Sequence, residues 1–141
     1  MCFLGVDIGG TSVRSLVTDA GGKILGYQRI ARVSHESLWQ AINDCLGTVL
    51  AQSSVVHVEA AVVGAAGAGP VGNQYVCRSV EKAFGAVGLD VTPQVVTDIE
   101  IAYWSAAALG DGSILVAGTG AIAGRFSEWR CVDRRDGAGW L

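Results

Sequence analysis

The sequence predicts an α/β fold: a mixed sheet with helices on both faces, followed by the opening β-meander of a second, similar domain. Three observations carry this reading. An opening run of strands gives way to alternating helical and strand patterns. Two glycine-rich turns, Gly9-Gly10-Thr11 and Gly118-Thr119-Gly120, lie about a hundred residues apart, each between two apolar runs. The pattern of strand, tight turn and strand then restarts after Gly110-Asp111-Gly112.

Residues 2–7 are nearly all apolar, as a strand at the buried centre of a sheet requires. Strands over 13–19 and 23–30 come next, joined by Asp19-Ala20-Gly21-Gly22, and complete an antiparallel meander. Leu38, Ile42, Leu46, Val49 and Leu50 recur at helical spacing and predict a helix over 36–52, with Ser34 or His35 near its start. Residues 58–65 return to strand. A loop of small residues, 66–72, leads to a helix over 73–87, and Gly88 suits its C-terminal stop. Gln94–Thr97 is a short strand, and Asp98 opens a helix running from Ile99 to Leu109. The turn at 110–112 is the predicted boundary between a domain over 1–110 and the start of a second over 111–141. That second segment is a meander ending in a strand near 129–133. Its apolar residues Ile114, Val116, Ile122, Phe126 and Trp129 are expected to have no helix covering them.

Half of the 141 residues are hydrophobic and 16% are charged, a globular composition without a disordered signature. The net charge of −3 offers no basic field for nucleic acid. The chain opens on a strand without a basic leader, and no apolar run approaches the roughly 18 residues that span a bilayer. A cytoplasmic protein with neither a membrane nor a nucleic-acid partner is expected. Cys2, Cys45, Cys77 and Cys131 are widely spaced, with no Cys-x-x-Cys, and His35 and His57 are too far apart for a helical zinc pair.

The two glycine turns are the first candidates for chemistry. Such a turn offers backbone N–H groups and a hydroxyl to an anion, and lets a phosphate come close. No Gly-x-x-x-x-Gly-Lys-Ser/Thr occurs, which excludes a Walker loop. Asp7 ends an apolar strand beside the first turn, where a carboxylate makes sense if Mg²⁺, through water, lies between it and a phosphate. A plain Gly-Gly hairpin capped by Asp and Thr is the alternative. Asp98 comes directly after Val95-Val96-Thr97 and starts a helix, so it serves as an N-cap. An acid at a strand's C-terminal end can also accept a proton from a substrate hydroxyl.

Several motifs occur in a known order. Val6-Asp7-Ile8-Gly9-Gly10-Thr11, Gly64-Ala-Ala-Gly-Ala-Gly69, Val96-Thr97-Asp98, Leu115-Val-Ala-Gly-Thr-Gly120 and Asp136-Gly-Ala-Gly-Trp-Leu141 succeed one another along the chain. In these the chain resembles the N-terminal part of the BadF/BadG/BcrA/BcrD ATPase family, within the actin–hexokinase–Hsp70 superfamily, and its N-acetylglucosamine kinase-like branch above all. The resemblance implies a ribonuclease H-like domain and a two-lobed amino-sugar kinase that uses ATP and Mg²⁺. It implies that Asp98 accepts the proton of the sugar hydroxyl, that Asp7 organises Mg²⁺, and that Gly9, Gly10, Thr11, Gly118, Thr119 and Gly120 hold the phosphates. Ser34, His35, Gly137 and Asp98 would face the sugar. A homodimer of the full-length parent is compatible with it.

Three departures bear on the substrate. Where the family commonly carries Ser-Thr-Asn, this chain has Val33-Ser34-His35-Glu36. The sugar loop has Asp136 where Gly is common and Ala138 where Trp is common. The family's Gly-Asp-Glu-Gly segment and the remaining half of the protein do not follow, so the fragment alone is expected to be inactive. Two other readings stand beside this one. An activator of an iron–sulfur dehydratase or reductase would carry Cys near the second phosphate turn, where this chain has Ala117, Ala121 and Ala123. A non-catalytic nucleotide-binding module would not need Asp98. ROK-type sugar kinases also share the layout, but their Cys-rich zinc motif does not occur here.

Overall fold

A computed structural model of the chain describes residues 1–32, 37–66, 68, 73–106, 110–117 and 121–136. The elements run β1 (Cys2–Ile8), β2 (Ser12–Asp19), β3 (Ile24–Ala31), α1 (Leu38–Ser53), β4 (Ala60–Ala65), α2 (Asn73–Ala86), β5 (Gln94–Thr97), α3 (Asp98–Ala106), β6 (Gly112–Ala117), β7 (Ala121–Ser127) and β8 (Arg130–Asp136). They form two compact units, Met1–Asp98 and Ile99–Leu141.

The first unit is a five-stranded sheet in the order β3-β2-β1-β4-β5. The β1–β2 and β2–β3 pairs are antiparallel, and β1–β4 and β4–β5 are parallel. This is the mixed sheet that three meander strands and then helix–strand units demand. Register decides which face is buried. Leu4, Val6 and Ile8 stand opposite Val17, Ser15 and Val13 on one side and Ala61, Val63 and Ala65 on the other. All nine are buried, and they form the sheet's contribution to one core. Ser15, polar within it, donates its hydroxyl to the Cys45 carbonyl at 3.2 Å.

Helix α1 lays Leu38, Ala41, Ile42, Cys45, Leu46 and Val49 into that core. Its N-cap is Ser37, whose N–H donates to Gln40 Oε1 at 3.3 Å, the backward half of a capping box. The helix therefore starts just after the Ser34–His35 stretch, which lies outside the described residues. Gly26 on β3 lets α1 come close, since a Cβ there would stand 3.0 Å from the Val49 carbonyl oxygen. Helix α2 packs on α1 and adds Val76, Val80, Ala83 and Phe84 to the same core. It ends as Gly88 predicts. Gly88 has φ +74°, its N–H bonds to the Gly85 carbonyl at 3.1 Å, and the Leu89 N–H bonds to that of Phe84 at 3.0 Å. The sheet's other face carries Phe3, Gly5, Leu16, Tyr27 and Val62, and is only partly covered.

The second unit is the expected antiparallel meander, β6-β7-β8, with β8 reaching Asp136 rather than about 133. Here the structure corrects one expectation: this meander does have a covering helix. Ile99 and Tyr103 of α3 form a buried cluster with Phe126, and Trp104, Ile114, Ile122 and Cys131 pack against it. The Tyr103 and Phe126 rings stack with centroids 3.9 Å apart. Tyr103 Oη donates to the Gly110 carbonyl at 2.8 Å, and Trp104 Nε1 to that of Trp129 at 2.9 Å. Two glycines clear the way. A Cβ on Gly112 would lie 2.7 Å from Tyr103 Oη, and one on Gly124 2.8 Å from Ile99 Cδ1. No described helix is long and apolar enough to cross a membrane.

Candidate functional site

The candidate site of the first unit is the edge where four strands end or turn. Ile8 pairs with Ala65, Ala65 with Thr97, and Ser12 with Ala31, so these residues share one end of the sheet. The segments leaving the strands emerge at this end: Gly9–Thr11 after β1, Ala66 after β4, Asp98 after β5 and Arg32 after β3. Strand spacing puts the Ile8 and Thr97 ends roughly 10 Å apart. The chain continues from β1 to β2 on one side and from β4 to β5 on the other. The strand order thus reverses between β1 and β4, where open α/β sheets bind ligands.

The Gly9-Gly10-Thr11 turn is held from three sides. Gly9 N–H donates to the Ser12 carbonyl at 2.9 Å, and Ala66 N–H to the Ile8 carbonyl at 3.0 Å. Arg32 donates twice, from its backbone N–H to Thr11 O at 2.9 Å and from Nη1 to Gly9 O at 3.0 Å. By contrast, the Gly10 and Thr11 amides make no hydrogen bond to any described residue. Gly10 is exposed, its φ is not left-handed, and a Cβ on it would meet nothing within 4 Å. At Gly10 the backbone therefore shows no strain that glycine alone could relieve, whereas a Cβ on Gly9 would come within 3.3 Å of the Ser12 carbonyl oxygen.

Asp7 lies on the partly covered face. The β1–β2 register sets it directly opposite Arg14, whose Nη1 donates to Asp7 Oδ2 at 3.2 Å. The carboxylate meets this guanidinium across the hairpin, and both side chains are substantially exposed. Such a pair contributes about 0.2–1 kcal/mol. Among the described residues no three acidic, His or Cys groups gather as a metal site. One carboxylate fits Mg²⁺ only in company with phosphate oxygens, which is how Mg²⁺ is ordinarily held beside nucleotides.

Asp98 is exposed at the first position of α3, directly after β5, and it already has an interaction within the fold. It is thus the first residue of the helix itself, one position past the N-cap place expected for it, and it stands at the end of β5. Ser34, His35, Gly118, Thr119, Gly120 and Gly137 lie outside the described residues, as do Gly67 and Gly69 of the small-residue loop. Sequence reasoning missed Arg14 and Arg32. Counting back across the hairpin from Ile8 and Val13 would have paired Arg14 with Asp7. Nothing local marks Arg32, which reaches the turn only through β2–β3 pairing.

No protein-family model matches the chain, and a search of curated proteins found no match. Solved structures do match. A protein provisionally named an N-acetylglucosamine kinase from Porphyromonas gingivalis aligns over 99% of this chain and 49% of its own, with TM-score 0.77 and 18% identity. A ROK family glucokinase from Streptomyces griseus, solved with glucose and AMPPNP, aligns over 93% and 46%, with TM-score 0.62 and 26% identity. An ethanolamine utilization protein from Carboxydothermus hydrogenoformans aligns over 96% and 51%, with TM-score 0.66 and 14% identity. The chain spans about half the length of the structures it matches. What the likeness shows is the fold, a mixed α/β fold similar to that of sugar kinases and actin-like ATPases.

Proposed function

We propose that this chain is the N-terminal half of an ATP-dependent amino-sugar kinase of the BadF/BadG/BcrA/BcrD type. The observation that carries the reading is Gly10. The fold gives no steric or conformational reason for glycine there, yet its amide and that of Thr11 find no partner among the described residues at the sheet's ligand edge. A phosphate supplies the reason: it needs bare N–H donors and no Cβ in its way.

In this proposal the Gly10 and Thr11 amides and the Thr11 hydroxyl bind phosphate oxygens, with Gly9 shaping the turn. Gly118, Thr119 and Gly120 provide the second phosphate contact. Asp98 holds the sugar hydroxyl, accepts its proton as the oxygen attacks the γ-phosphorus, and ADP leaves. Asp7, with the phosphates, would hold Mg²⁺, which neutralises phosphate charge when bound. Ser34, His35 and Gly137 line the sugar side. The substrate is N-acetylglucosamine or glucosamine, phosphorylated at its 6-hydroxyl, by a cytoplasmic and homodimeric full-length protein. The 141-residue chain alone is inactive.

The test is a coupled ADP-release assay of the full-length protein across hexoses and amino sugars. Sugar-dependent release on an amino hexose is expected. Release that ignores every sugar would favour the ATPase-activator reading, and no release with measurable ATP binding would favour a non-catalytic module.

A further inference from the structure

We propose that Arg32 is the positioning residue of the first phosphate turn. It fixes which way the Gly9–Gly10 peptide faces. The inference rests on the phosphate reading of the turn and adds to it a residue that no motif marks.

Peptide planarity makes one hydrogen bond decide two directions. The Gly9 carbonyl and the Gly10 N–H belong to one trans peptide unit, so they point in opposite directions. Arg32 Nη1 donates to Gly9 O at 3.0 Å, and the bond is part-buried. Drawing that carbonyl toward Arg32 turns the Gly10 N–H the opposite way, and a Cβ on Gly10 would itself meet nothing within 4 Å. The Arg32 backbone N–H holds Thr11 O at 2.9 Å, so one residue secures the turn on both sides of Gly10.

The hold is needed because of what flanks that peptide. It joins two glycines, and glycine populates positive and negative φ with similar ease. Rotating the unit by half a turn is therefore cheap at Gly9–Gly10. A flipped unit would present a carbonyl oxygen, with its partial negative charge, where a phosphate must sit. A guanidinium is suited to the task. It is always charged and it donates from a planar fork, so it can hold one carbonyl firmly. A lysine would offer only a mobile point charge.

The experiment uses the ¹⁵N-labelled chain with Arg32→Met and Arg32→Lys, each first matched to wild type in thermal midpoint. The Gly10 amide signal is followed without ligand and during titration with ATP–Mg²⁺. In Arg32→Met the ligand-free Gly10 signal is expected to broaden or double as the peptide flips. The apparent affinity is expected to fall about tenfold, the size of one charge-assisted hydrogen bond. Arg32→Lys should recover part of both. Should Arg32→Met fail to fold, Arg32→Gln is read in the same way. A ligand-free Gly10 signal unchanged in the neutral variant would overturn the proposal. A wild-type Gly10 signal that does not move with ATP–Mg²⁺ would instead sink the nucleotide reading, while the ligand-free comparison still decides the role of Arg32.

Discussion

Gly10 is exposed with open space above it, and Asp98 heads a helix at the same sheet edge. Two substitutions separate a folding role from a ligand role at these residues. Gly10→Val should leave the thermal midpoint of the chain close to wild type, because no neighbour stands within 4 Å of its Cβ. It should weaken ATP binding, measured by isothermal titration; unchanged affinity would refute the phosphate cradle. Asp98→Asn in the full-length protein should cost on the order of 10²–10⁴ in kcat while leaving ATP affinity nearly intact. Asparagine keeps the side-chain size at the first residue of the helix, so a wild-type kcat would leave Asp98 a structural role alone. Away from the site, Cys45 is fully buried, and that burial pushes its thiol up from the ordinary value of 9.0. It should be the slowest described cysteine to react with iodoacetamide, as read by mass spectrometry, and should react only when the first unit opens.

At the scale of elements, the contact between α3 and the meander depends on small residues. Gly124→Val would push into Ile99 and Phe126, at the centre of the cluster. Overpacking of this kind costs about 1–3 kcal/mol and should show as a lower unfolding midpoint of the second unit. The β7–β8 hairpin turns through Glu128 and Trp129, both left-handed, with φ 50° and 68°. Asp111 holds that turn: its carboxylate accepts the Glu128 N–H at 3.0 Å and the Ser127 hydroxyl at 2.8 Å. The Glu128 N–H, then the Ser127 hydroxyl, keep the Asp111 carboxyl below its ordinary value of 3.8. A carboxyl depressed on folding stabilises above its unfolded pKa, and that support is lost as pH falls through the folded one. Acid titration of wild type against Asp111→Asn should therefore diverge above that range and converge below it. Parallel curves throughout would show that the turn stands without Asp111.

For the whole molecule, the uneven distribution of buried surface sets the order of opening. The first unit has a core drawn from β1, β2, β4, α1 and α2. The second rests on Ile99, Tyr103 and Phe126, and leaves Leu115 71% and Val132 50% exposed. Regions with few buried apolar contacts open first. Hydrogen exchange should find residues 1–98 better protected than 99–141, with equal protection counting against this account. The partly covered sheet face, with Phe3 and Tyr27, adds exposed apolar surface and favours self-association of the isolated chain. A monodisperse monomer by light scattering would show that this surface does not drive association.

The sequence by itself determined the elements and their order, the mixed sheet, the Gly88 helix stop and the turn at Gly9–Thr11. These come from local rules: apolar period separates helix from strand, and turn chemistry marks the breaks. Asp7, Gly9, Gly10, Thr11 and Asp98 were legible for the same reason, each standing beside a strand end. Only the tertiary structure decided what those residues meet. Strand register set Arg14 across from Asp7 and brought Arg32, more than twenty positions along the chain, to the Gly9 carbonyl. Packing decided that α3, read as the last helix of the first domain, covers the meander that comes after it. Pairing and packing join residues distant in sequence, and the energy that selects them resides in surfaces that exist only once the chain has folded.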